Sequence, residues 1–172
     1  MKKLFVVLLA VVLIISGLMV AKGDSYKNED LIRIHIRANS ESEEDGKLLV
    51  LVKEQVIGSM SDELVNCKDK KEAYKLVKSS LSRLEKEANC VLKEGGANYK
   101  ARITLREEEF PSRQYLSYTL KQGVYDSLTI ELGKGGGDSW WCVAFPPICF
   151  SSENKDYHYK SRLEELIQKY LS

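Results

Sequence analysis

Glu107, Glu108 and Glu109 stand consecutively, and neighbouring carboxylates are the equipment of acid–base hydrolysis. Ser40, His35 and an aspartate could supply a nucleophile, a base and an orienting acid. Gly133-Lys134-Gly135-Gly136-Gly137 invites comparison with a phosphate-cradling loop, and Cys142 and Cys149 could do thiol chemistry. Spacing weakens each candidate. Three acids just before Phe110-Pro111 read as solvated charge. No G-x-S-x-G turn frames a serine. The glycine run lacks the G-x-x-x-x-G-K-[ST] order that wraps a phosphate, and reads as a flexible linker. A zinc site would need His35 or His158, and neither stands at ligand spacing to the cysteines. No catalytic residue, metal or cofactor is expected.

The first residues predict a chain that works outside the cytoplasm. Met1-Lys2-Lys3 is followed by an apolar run, Leu4 to Ala21, interrupted only by Ser16 and Gly17. A basic start and an apolar core make an export signal, and the run also reaches the lower bound of a membrane span. Residues 1–23 are thus a signal peptide, cleaved before Asp24, or a retained anchor helix, and 24–172 form one extracytoplasmic domain. Without Lys2, Lys3 and Lys22, 23 of the 26 basic residues face 25 acids, so the formal charge goes from +1 to −2. Such a domain has no electrostatic reason to seek nucleic acid or anionic lipid, and membrane contact falls to the N-terminal segment alone.

Export makes disulfides possible, and four cysteines allow three pairings. Cys67 and Cys90 lie at opposite ends of a predicted helix about 30 Å long, too far for a bond needing Cα atoms within about 7 Å. Cys142 and Cys149 flank six residues that include the chain-reversing Pro146-Pro147. Their spacing is not the redox C-x-x-C, so a structural disulfide is expected.

The positioning elements follow from periodicity. Leu31 to Ala38 alternates, with Ile32, Ile34 and Ile36 on one face and Arg33, His35 and Arg37 on the other, which predicts a half-buried strand. Ser40-Glu41-Ser42-Glu43 has the form of a capping box, and acids fill the first helical turns. Leu49, Val52, Val56 and Met60 stripe this helix, with Leu48 and Leu64 beside them. A second helix opens at Asp69 and carries Ala73, Val77, Leu81, Leu84, Ala88 and Val91 or Leu92 until Gly95-Gly96. Tyr99 to Leu105 alternates as a strand, and Arg106 to Arg113 reads as a charged link. Tyr115 to Leu120 and Tyr125 to Leu132 read as a hairpin around Lys121-Gln122-Gly123. Trp140 to Phe145 is a last strand. Tyr159, Leu163, Leu166, Ile167 and Tyr170 stripe a final helix. The order β-α-α-β-β-β-α predicts an α+β fold, a mostly antiparallel sheet packed against helices, preceded by the signal or anchor helix.

The densest patch is SWWCVAFPPICF, Ser139 to Phe150. Trp140, Cys142 and Ala144 share one face and Trp141, Val143 and Phe145 the other, so both are apolar. A strand buried on both sides would do this. So would a strand with one face left for a partner, because aromatics beside Pro146 and Pro147, with Phe150, are hot-spot material. One tryptophan in the core and one in a groove satisfies both.

IRIHIRANSESEED and SWWCVAFPPICF resemble stage II sporulation protein R of endospore-forming bacteria, with mild departures at Glu41 and Gly46. The resemblance takes in nearly the whole mature chain, including Phe110-Pro111 and the glycine-rich approach to Trp140. It implies a messenger exported from the forespore into the space between the two membranes of a sporulating cell. There it would activate a membrane-embedded aspartic protease that matures the mother-cell sigma factor E precursor. Partner-binding candidates are Trp140, Trp141, Phe145, Pro146, Pro147 and Phe150, with the polar face Arg33, His35 and Arg37. An exported cell-wall hydrolase and a passive envelope protein are the alternatives.

Overall fold

A computed structural model describes residues 28–115 and 118–148. The export segment, Cys149, Phe150, His158 and the predicted final helix lie outside the described residues. After a short 3-10 turn (Asn28–Asp30) come β1 (Ile32–Arg37), α1 (Glu43–Val65), α2 (Lys70–Glu94), β2 (Ala101–Phe110), β3 (Arg113–Tyr115), β4 (Tyr118–Leu120), β5 (Gly123–Leu132) and β6 (Ser139–Phe145). The fold is α+β.

Four strands form the main sheet in the order β2-β5-β1-β6. The pairs β2/β5 and β1/β6 are antiparallel, and the central pair β1/β5 is parallel. A parallel pair needs a long crossover, and here α1, α2 and β2 supply it. Cross-strand register sets Ile34 beside Leu128 and Cys142, and Ile36 beside Ile130 and Trp140. Ile103 and Leu105 continue this apolar face on β2. The predicted stripe of α1 is buried in full. On α2 the buried residues are Ala73, Val77, Ser80, Leu84, Ala88 and Leu92, so Ser80 is buried where the pattern put Leu81, and Leu92 carries the last turn.

Three expectations are corrected. β1 is buried on both faces, with Arg33 and His35 at 0% and 1% exposure. Alternation reports two chemistries, not which of them meets water, and a polar face can be covered when its hydrogen bonds are satisfied. Second, the charged link is the second half of β2, which pairs with β5 from Ala101↔Leu132 to Phe110↔Gly123. β5 therefore has a strand on each side, and β3 and β4 pair separately in a small sheet inside the β2–β5 connection.

Third, the glycine loop is no loose linker. Gly133 N–H donates to Lys100 O, Gly137 N–H to Ala38 O, Ala38 N–H to Asp138 O and Lys134 N–H to Asn39 Oδ1. The loop is clamped along the end of β1.

Candidate functional site

His35 and Trp141 are cross-strand neighbours on β1 and β6, so their side chains leave the same face of the sheet. Their rings stack at 3.6 Å between centroids with an interplanar angle of 17°. Phe110, the last residue of β2, meets Trp141 edge-on at 4.9 Å and His35 at 6.1 Å. The Arg113 guanidinium lies over the Trp141 ring at 5.4 Å. Arg33 is buried between Phe110 (4.3 Å) and Tyr125 (5.1 Å), and its Nε donates to Cys142 O. A buried guanidinium is tolerable in such a place because aromatic faces and a carbonyl replace part of its hydration.

Glu108 ties this layer together. Its Oε1 lies 3.0 Å from His35 Nδ1 and pairs with Arg37 Nη2, and its Oε2 accepts from Thr129 Oγ1 at 2.9 Å. Arg37 also reaches Glu131, which holds Arg106 on its other side. Glu108 needs a donor on His35 Nδ1, while the Arg37 Nε–H lies 3.4 Å from both ring nitrogens. The neutral Nδ1–H tautomer supplies that donor. Burial holds the imidazole below its ordinary 6.5, with Arg37 adding to the effect against the pull of Glu108. Burial would raise the Glu108 carboxyl, but Thr129, His35 and Arg37 outweigh it and hold it below the usual range.

In the unfolded chain His35 takes a proton near pH 6.5, while the folded site resists until lower pH, so stability falls as pH drops below 6.5. Thermal melts of the wild type and His35→Gln are expected to differ most at pH 7.5, and the gap should narrow steadily towards pH 5.5. A gap that widened in acid would contradict the neutral assignment.

The sequence candidates separate. Trp141 joins His35 and Arg37, while Trp140 leaves the opposite face, under the Lys53 ammonium at 5.9 Å. Both tryptophans, Phe145, Pro146 and Pro147 are half-buried, whereas Cys142, Val143 and Ala144 are buried. Among the described residues β6 is an edge strand, not a central one. The side chains of Arg33 and His35 are not at the surface, and Arg37 keeps 31% exposure. Read from sequence, Glu108 goes with Glu107 and Glu109 as solvated charge, and the structure separates it from them. Continuing the alternation of β2 past Leu105 would have found it, since that puts Glu108 and Phe110 on one face and Glu107 and Glu109 on the other. The three acids diverge accordingly, with Glu107 and Glu109 exposed and Glu108 half-buried. Among the described residues no group of three or more His, Cys, Asp or Glu could hold a metal ion, and no helix is long and apolar enough to cross a membrane.

The layer holds its groups by mutual satisfaction: an ionised acid, a neutral imidazole, two arginines and stacked rings. What it builds is a rigid, half-exposed aromatic edge. A family model described as Stage II sporulation protein R matches residues 28–155. A relative described as Stage II sporulation protein R, from Bacillus subtilis (strain 168), is 29% identical over 161 residues, covering 87% of this chain and 72% of the relative. No solved structure matches the chain.

Proposed function

The chain belongs to the stage II sporulation protein R family, and we propose on that premise that it is an exported messenger of sporulation rather than an enzyme. Its receptor is the membrane-embedded aspartic protease that matures the sigma factor E precursor, met in the space between forespore and mother cell. The observation that carries this reading is the β6 edge, where Trp140 and Trp141 stay half-exposed on opposite faces although the strand between them and Phe145 is buried. Partly open tryptophan rings on rigid backing suit a partner surface, because tryptophan is among the residues most enriched at hot spots. Binding would favour the active protease only by gripping that state more tightly than the inactive one.

The test is co-expression with the protease and its precursor substrate in a non-sporulating host, with the export segment present or absent. Precursor cleavage is expected only with the exported chain. Trp140→Ala, folded by circular dichroism, is expected to lose about thirtyfold in potency, equivalent to about 2 kcal/mol of contact. Full cleavage without the chain, or turnover of a wall substrate by the purified domain, would end the reading.

A disulfide between Cys142 and Cys149 belongs to this extracytoplasmic reading. Cys142 carries a disulfide, and Cys67 and Cys90 are free thiols. Alkylation of the purified domain without reduction should label the two free cysteines and, after reduction, all four. Four labels at the first step would remove the bond.

A further inference from the structure

Trp141 reaches the edge of the sheet with one ring face on His35 and the Arg113 guanidinium over its ring. A large side chain on an edge strand has several staggered rotamers open to it, and which one is populated decides what a partner finds. Here the choice is made from below. The His35 ring cannot swing, because Nδ1 is tied to Glu108 Oε1 at 3.0 Å and the ring is 1% exposed as a residue. Glu108 in turn is held by Thr129 from β5 and Arg37 from β1. The support therefore runs from β5 through β2 and β1 to β6, across every strand of the main sheet.

We infer that His35, fixed by Glu108, is a positioning residue that sets the orientation in which the Trp141 ring meets the protease. This rests on the reading that the tryptophan edge is the partner surface, and deepens it. His35 touches no partner; it acts through Trp141. A ring at position 35 is what the stack needs, while the hydrogen bond to Glu108 keeps that ring in plane. Glu107 and Glu109, on the other face of β2, have no part in it. A partner arriving at a pre-set ring loses less freedom on binding than one that must order it.

Two substitutions pull the roles of His35 apart. His35→Phe keeps a ring under Trp141 and drops the hydrogen bond, whereas His35→Gln keeps a polar group near Glu108 and drops the ring. The near-ultraviolet dichroism of Trp141 is read with Trp140→Phe as background, so that Trp141 is the single tryptophan. Cleavage of the precursor is read in the otherwise native chain. His35→Gln is expected to lose most of the Trp141 band and about tenfold in cleavage potency, and His35→Phe, which keeps the ring but not its anchor, to restore them only in part. A folded His35→Gln with an unchanged band overturns the positioning role. A lost band with undiminished cleavage instead overturns the reading that Trp141 meets the partner. Should His35→Gln fail to fold, Glu108→Gln, which keeps the imidazole and loosens its anchor, is read by the same two measurements. A sharp, native band with Glu108→Gln and native cleavage would then sink the inference.

Discussion

Gly137→Ala is expected to destabilise the domain by about 4 kcal/mol, visible as a midpoint some 10 °C lower in a thermal melt. A β-carbon at Gly137 would sit 1.9 Å from Ser40 O and 2.2 Å from Ser40 C. Those atoms are backbone and cannot rotate aside. Nor can the glycine back away, since its N–H is bonded to Ala38 O while Ala38 N–H is bonded to Asp138 O. Relief requires breaking those bonds or displacing the start of the segment that leads into α1. Gly136→Ala is the control. Its β-carbon would meet only Asn39 O, at 3.7 Å, an ordinary contact, so a change within about 0.5 kcal/mol is expected. Equal melting of the two variants would show that the loop is not clamped to Ser40.

Local periodicity made much of this fold legible. The stripe of α1, the Asp69 start and Gly95 stop of α2, and the alternation of β1 all rest on contacts within a few residues of chain. What escaped is non-local. The same β5 alternation suits a hairpin with residues 115–120 and a long antiparallel pair with β2, and only the parallel contact of β1 on its other side decides between them. The N-cap shows the same limit at short range. Ser40-x-x-Glu43 and Ser42-x-x-Asp45 are both plausible frames, two residues apart. Ser42 is the cap, accepting from Asp45 N–H at 3.2 Å, because Ser40 is drawn off to the Asp45 carboxylate and to Gly137. At the candidate site, the tryptophans were conspicuous by type. Their support was not: Glu108 gains meaning only from His35 on another strand, 73 residues away. Arg33 and His35 read as an open polar face for want of the Phe110 and Tyr125 rings that cover them.

Asp45→Ala is expected to remove about 3 kcal/mol, the second-largest loss, and it probes the other side of the same corner. From sequence Asp45 is one of several acids favoured by the helix dipole. It is instead a buried acceptor, 7% exposed, receiving Ser40 Oγ at 2.5 Å, Asn39 Nδ2 at 2.9 Å and the Tyr99 hydroxyl. Asn39 passes the restraint on, accepting Lys134 N–H beside Gly133. Two parts of the family resemblance, the Ala38-Asn39-Ser40 turn and the glycine-rich approach to Trp140, are therefore in contact. They share the job of fixing where β6 begins, and so where its tryptophans emerge. Removing the carboxylate strands three donors, each at about 1 kcal/mol, and frees that junction. Asp45→Asn keeps the shape and one acceptor, so about half the loss is expected. The pH window separates this site from His35. Burial alone would raise the Asp45 carboxyl, but the hydrogen bonds of Ser40, Tyr99 and Asn39 hold it below the ordinary 3.8. Its contribution is therefore complete above that value and lost only as pH falls through the lower folded one. The gap between wild type and Asp45→Ala should stay flat from pH 8 to about pH 5 and close only in stronger acid. A gap that shrank between pH 7 and pH 5.5, where His35 acts, would mean the two polar clusters are one coupled system, and that the corner holding β6 answers to the layer beneath Trp141.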